Sequence, residues 1–104
     1  MTALRWLEFD YSEGTDDTGV FDAMASVELK YAADVEAEIA RVLNWASEDF
    51  AGRRGPVEEG GDWDSDLGVI DEPGEPPRRC FTLSISGTEA FCEAFREQFV
   101  GDAV

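Results

Sequence analysis

Histidine is absent from this chain, and basic side chains are few, with eight Lys and Arg among 104 residues and Lys30 the sole lysine. The missing imidazole removes the commonest general base at neutral pH, the commonest metal ligand, and every Ser-His or Cys-His nucleophilic arrangement. No glycine-rich loop ends in a lysine; Gly19 and Gly87 stand alone, so nucleotide binding has no support. The pairs Arg53-Arg54 and Arg78-Arg79 are too few, in so acidic a chain, for direct nucleic-acid binding. No run approaches about 18 apolar residues. The stretch from Met1 to Asp10 lacks a basic segment followed by an apolar one, so no secretory signal is expected, and a soluble cytoplasmic protein is the expectation. Cysteine is scarce as well. Cys80 and Cys92 have neither zinc-ribbon nor CxxC spacing and are expected to be buried free thiols, with a disulfide or reactive thiol as the alternative.

What the chain does contain is acid. Twenty-four Asp and Glu leave a formal charge of −16, yet 43% of residues are apolar and the aromatics comprise three Trp, two Tyr and seven Phe. Disordered acidic chains are poor in such residues, so the charge sits on a folded body. At this length one domain is expected, burying roughly 65% of its unfolded surface. Its field repels nucleic acid and anionic membranes and attracts cations and basic proteins.

Period-two alternation is clearest over residues 19–31, where Phe21, Ala23, Ala25, Val27, Leu29 and Tyr31 alternate with polar or exposed positions. Leu7, Phe9 and Tyr11 alternate with Trp6, Glu8 and Asp10, which predicts a preceding strand and a hairpin. Val35, Ile39, Val42, Leu43, Ala46 and Phe50 recur at helical spacing over 34–51, with Asp34 as N-cap and Gly52 as stop. Glu36 and Glu38 suit the positive end of that helix, whereas Glu48 and Asp49 oppose its negative end. Trp45, beside the apolar stripe, is expected in the core. After a loop over 53–61, a weaker third strand has Trp63, Leu67 and Val69 on one face and Asp62, Asp64 and Asp66 on the other. Three aspartates and Gly68 leave this segment readable as a loop too. Residues 71–79, with Pro73, Pro76 and Pro77, form a loop, and 80–86 form a strand with Phe81, Leu83 and Ile85 inward. A last helix starts near Gly87, with Ser86 and Glu89 at capping-box spacing, Thr88 as a competing N-cap, and Phe91, Phe95 and Phe99 as a stripe for the sheet. The expected fold is therefore α+β, a two-layer sandwich in ββαββα order with a mostly antiparallel four-stranded sheet and both helices on one face.

Asp17-Thr18-Gly19 matches the aspartic-protease tripeptide, but Gly14, Thr15 and Asp16 precede it where an apolar strand is required, so a turn is expected. Asp62, Asp64 and Asp66 have the alternate spacing that opens an EF-hand calcium loop. The pattern then fails, with Leu67 at the sharp-turn position, glycine one place late at Gly68, and Pro73 where the bidentate Glu belongs. Glu58, Glu59, Asp71 and Glu72 add charge without geometry. Glu89, Glu93 and Glu97 lie four apart on the last helix, about 6 Å per step. Such a row crudely imitates a phosphate strand, which carries one charge per about 3.4 Å of duplex axis; a solvated helix face explains it more simply. Trp63, near the acidic cluster, and Trp6, on the polar side of the first strand, are candidate outward anchors, although such residues more often cover a sheet edge or pack beneath a loop.

In size and charge alone the chain resembles acidic inhibitors of basic nucleases and DNA-mimicking inhibitors, with no shared motif. The expectation is a non-enzymatic acidic protein with no cofactor that docks on a basic protein partner, a nucleic-acid-binding protein or a nuclease. Its partner-binding residues are expected to be Asp62, Trp63, Asp64, Asp66, Glu89, Glu93, Glu97 and Trp6. The alternatives are a divalent-cation module built on Asp62, Asp64 and Asp66, a small enzyme using a buried carboxylate or Cys80 or Cys92, and acidity that only confers solubility.

Overall fold

The two best alternating runs become the two central strands of the sheet. The computed structural model describes residues 4–14, 17–56 and 59–100; Thr15, Asp16 and Glu58 lie outside the described residues. Strands β1 (Asp10–Glu13), β2 (Thr18–Glu28), β3 (Trp63–Glu72) and β4 (Arg78–Thr88) form one sheet in the order β1-β2-β4-β3, antiparallel at every step. Helices α1 (Ala32–Asp49) and α2 (Glu89–Phe95) complete the ββαββα order. Among the described residues, no helix is long and apolar enough to cross a membrane.

The inner face of the sheet carries Phe21, Ala23, Ala25 and Val27 from β2 and Phe81, Leu83 and Ile85 from β4, all buried. Against it lie Val35, Ile39, Val42 and Ala46 of α1 and Phe91 and Phe95 of α2, in a single cluster that Phe99 joins from the π-type turn Arg96–Val100. Each fully buried Phe contributes roughly 1.5–3 kcal/mol of transfer free energy. Trp45 joins the helices, its ring 5.9 Å from Phe91, 5.9 Å from Phe95 and 5.3 Å from Phe99 between centroids. The phenylalanine stripe thus lies on the sheet, as its spacing predicts. At the corner between β4 and α2 only glycine fits, since a Cβ on Gly87 would lie 2.5 Å from the Phe91 ring and 2.7 Å from the Asp62 carbonyl oxygen.

Several boundaries differ from the sequence expectation. β2 ends at Glu28, and Leu29–Tyr31 form a 3-10 turn, so Leu29 and Tyr31 are exposed although their alternation continues the strand pattern. The helix α1 starts at Ala32 without a side-chain cap, and Asp34 falls in its first turn, where the helix dipole favours a carboxylate. Thr88, not Ser86, caps α2, accepting a hydrogen bond at Oγ1 from the Phe91 N–H at 3.3 Å. The weak third strand is a full ten-residue edge strand. Pairing with β4 along its whole length overrides its poor local propensity.

The largest difference is at the amino-terminal side. β1 begins only at Asp10, and residues 4–9 are not strand. Glu38 organises them from α1. Its carboxylate is 4% exposed and accepts the Arg5 N–H at Oε2 (2.9 Å) and the Trp6 and Leu7 N–H groups at Oε1 (2.9 and 2.7 Å). Successive backbone N–H groups make an anion cradle, here filled from within the chain. Leu7 is buried as a result, and Phe9 packs edge-on to Phe21 and Phe95.

Candidate functional site

Directly paired residues in an antiparallel sheet point to the same side, so the register defines the face that the helices leave open. One cross-strand row is Asp10, Asp22, Ser84 and Asp66, and the next is Ser12, Val20, Ser86 and Asp64. With strands about 4.8 Å apart and same-face positions about 6.8 Å apart along a strand, these four carboxylates share a patch only about 15 Å wide. The Ser84 hydroxyl donates to Asp22 Oδ1. Beyond the acidic rows come Met24, Thr82 and Gly68, then Ser26, Cys80 and Ile70. Met24 is 65% and Ile70 67% exposed. A final row, Glu28, Arg78 and Glu72, is mixed in charge; Arg78 is tied to the Ser26 carbonyl at 2.6 Å, and Glu72 accepts the Ser26 hydroxyl at 3.2 Å. No described element covers this face. It combines rigidly spaced carboxylates with two exposed apolar side chains.

The sequence-derived site residues are divided among different surroundings. Asp64 and Asp66 belong to the open face. Asp62 is engaged through both oxygens by Arg53, at 2.9 Å from Nε and 3.2 Å from Nη2. That hydrogen bonding holds the Asp62 carboxyl below its ordinary value and the Arg53 guanidinium above its own. Arg54 engages Asp64 at 3.3 Å and Ser65 Oγ at 2.8 Å. Thus two of the three aspartates with calcium-loop spacing face guanidinium groups, and β3 holds Asp64 and Asp66 along one extended strand, with Asp62 just before it, instead of wrapping the three around an ion. Among the described residues no group of three or more His, Cys, Asp or Glu is placed to hold a metal ion.

Trp63 has no exposed surface, which removes it as an outward anchor. Its parity with Leu67 and Val69 is as the sequence suggests, but that face points toward the helices. There it stacks on Phe91, with centroids 5.8 Å apart and planes 7° from parallel, while the Arg54 guanidinium lies 5.0 Å from its ring. Its Nε1 has no acceptor among the described residues. Trp6 is half-buried against the core, 5.5 Å from the Tyr31 ring, with the Arg5 guanidinium 5.1 Å from its own.

Glu89 and Glu93 lie on the helix side of the sheet, away from the open face. With Glu13 and Asp17 they line a cleft of about 290 Å³ between the β1–β2 hairpin and α2, whose one basic lining group, Arg96, lies 4.6 Å from the Tyr11 ring. Glu97 falls in the π-type turn and does not continue the α-helical row. Of Asp17-Thr18-Gly19, read from sequence as a turn, Asp17 alone sits in the turn, with φ of 60°, and Thr18 and Gly19 begin β2. Both cysteines are free, and they occupy opposite sides of the sheet. Cys92 is buried, and that burial pushes its thiol up from the ordinary range. Cys80 is only half-buried, contrary to the expectation of two core thiols, because it lies on the open face.

Asp10, Asp22, Met24 and Ile70 are surface features that residue-by-residue reading does not single out. The alternation that identifies β2 already puts Asp22 and Met24 on the face opposite Phe21 and Ala23; what is missing from sequence is the strand order that sets Asp22 beside Asp10 and two strands from Asp66, across Ser84. No protein-family model, no curated protein and no solved structure matches this chain.

Proposed function

We propose that this protein is a non-enzymatic binding module whose open sheet face docks on a basic protein, a nucleic-acid-binding protein or a nuclease, in a cytoplasmic setting where both thiols stay reduced. The observation that carries the reading is the patch of Asp10, Asp22, Asp64 and Asp66 beside the exposed Met24 and Ile70. Carboxylates on a rigid sheet speed encounter with a positive surface and fix its orientation. Apolar side chains inside such a rim supply short-range contact once water is expelled. The −16 charge gives the attraction its direction, and Asp10, Asp22 and Asp66 of this face have no ion pair among the described residues.

The test compares two variants of equal charge change. Asp10→Asn with Asp22→Asn and Asp66→Asn neutralises the open face; Glu36→Gln with Glu48→Gln and Asp49→Asn neutralises α1. Proteins captured from lysate are eluted by a salt gradient and identified. The reading expects a defined basic protein retained by the parent and the α1 variant and lost, or eluted at distinctly lower salt, with the open-face variant. Equal behaviour of both variants, or no basic protein in the eluate, overturns it.

A further inference from the structure

The backbone of β3 adds a restriction on the shape of the partner. The register from Trp63 opposite Gly87 to Glu72 opposite Arg78 is unbroken, so β3 contains no bulge. The Asp62 carbonyl accepts the Thr88 N–H at 2.9 Å, toward β4, whereas the Trp63 carbonyl accepts the Gly55 N–H at 2.8 Å, away from it. By the two-residue period of a strand, Ser65, Leu67, Val69 and Asp71 then direct their N–H and C=O groups to the free side. The bridge between Arg54 and Trp63 covers only the first position. Among the described residues the Ser65 N–H donates to the neighbouring Asp64 Oδ1 at 2.9 Å, and nothing pairs with the outward main chain of Leu67, Val69 and Asp71.

Free edges are normally defended by shortness, proline, lysine or a bulge. β1, the other edge, has only four residues, but β3 has ten, without proline or lysine and with Leu67, Val69 and Ile70 exposed. Its protection is acid. Asp66 and Glu72 flank the open-face side of the edge without an ion pair among the described residues. Two copies paired antiparallel about Gly68 would set Asp64 against Glu72 twice, between bodies that each carry −16. The same charge favours a basic strand.

We propose that the free edge of β3 accepts an extended basic segment of the partner as a fifth strand. Main-chain hydrogen bonds would form to Leu67, Val69 and Asp71. Lys or Arg at alternate positions would face Asp66 and Glu72, and β-branched residues would lie beside Leu67 and Val69 on the other side. The inference rests on the proposed basic partner and specifies its conformation.

The probe is a capped seven-residue peptide alternating lysine and valine, titrated into the full chain and followed by amide exchange. A second peptide has the same side chains but N-methyl groups on the bonds that would face β3. Strand addition predicts saturable binding of the first peptide, at least about tenfold slower exchange at Leu67, Val69 and Asp71, and about tenfold or more weaker binding of the methylated peptide. Val69→Pro, which removes an edge-facing donor and leaves the β4 ladder intact, is expected to weaken the first peptide similarly. Equal binding of both peptides without new protection overturns strand addition while leaving electrostatic docking standing. Binding of neither peptide, or edge protection that instead grows with protein concentration, overturns it too. The open-face variants above read the docking proposal separately.

Discussion

Replacing Glu38 with alanine removes the acceptor of three backbone donors at once, and the consequence can be worked out bond by bond. A hydrogen bond to a charged group contributes about 1.5–3 kcal/mol net, and a buried donor left without a partner incurs its desolvation penalty. The Leu7 N–H, at 2.7 Å, is the buried member of the set, and its loss counts in full at about 2 kcal/mol. The Arg5 and Trp6 donors are part-buried, so water can replace their partner and each loses about 0.5–1 kcal/mol. Glu38→Ala should therefore destabilise by about 3–4 kcal/mol. Glu38→Gln keeps one oxygen for Trp6 and Leu7 and turns an NH₂ toward the Arg5 donor, for a loss of about 1–2 kcal/mol. Urea unfolding reads the magnitude, with a slope of about 1–3 kcal/mol/M putting the alanine midpoint at least about 1 M lower. Amide exchange at Arg5, Trp6 and Leu7 reads the location: these three should lose protection in Glu38→Ala before the central strands do. If both variants lie within about 0.5 kcal/mol of the parent, or if those amides are unprotected in the parent, the cradle does not hold the segment.

Asp62 and Asp71 are each hydrogen-bonded by an arginine, Arg53 and Arg79, that holds the carboxyl below the ordinary carboxylate range. Depressed folded values mean that their contribution to stability is present above the ordinary carboxylate range and lost as pH falls through the lowered value. In a carboxyl-carbon titration these two should be among the last aspartates to protonate, and Arg53→Gln should return Asp62 to the ordinary range; an ordinary value in the parent contradicts the pairing. Timed alkylation followed by peptide mapping should label Cys80 on the open face well before Cys92, and equal rates in the folded protein would contradict the burial of the α2 thiol. Gly87→Ala should destabilise by about 1–3 kcal/mol because the added methyl meets the Phe91 ring and the Asp62 carbonyl. Gly68→Ala, with no atom nearer than 4.0 Å, should be neutral or stabilising by up to about 1 kcal/mol, and thermal unfolding of the pair decides.

Most of the architecture is legible where pattern and burial coincide. β2, β4, α1 and the Phe91, Phe95 and Phe99 stripe each repeat at the period of the element they form, and one face of each is buried. Alternation misleads where the surroundings change within a run, as at Leu29 and Tyr31, which keep the period after the chain has turned. It also misleads at Leu7 and Phe9, whose burial comes from the Glu38 cradle and not from strand pairing. Glu38 itself has a readable signal: it lies three residues after Val35 and four before Val42, on the stripe that faces the core. A carboxylate on such a stripe requires donors, and they came from a segment more than thirty residues away in sequence. β3 reads poorly because its aspartates oppose strand formation, yet Arg53, Arg54 and Arg79 engage three acids at or beside it. The acidic runs at Asp62–Asp66 and Glu89–Glu97 do not converge on one face. The open-face patch instead combines residues from β1, β2 and β3, and only strand order reveals such a combination.

The ring contacts described above also make the molecule its own optical instrument. Trp45 lies within 6.1 Å, centroid to centroid, of four phenylalanines, and Trp63 is stacked on Phe91 beneath a guanidinium. Closely coupled, asymmetrically held chromophores give strong near-ultraviolet circular dichroism, which vanishes when packing loosens even if helices and strands survive. A chain retaining only Trp63 would report on the junction of β3 and α2, and one retaining only Trp6 would report on the segment seated by Glu38. Two separate regions of the fold can thus be followed by emission alone, without an added label.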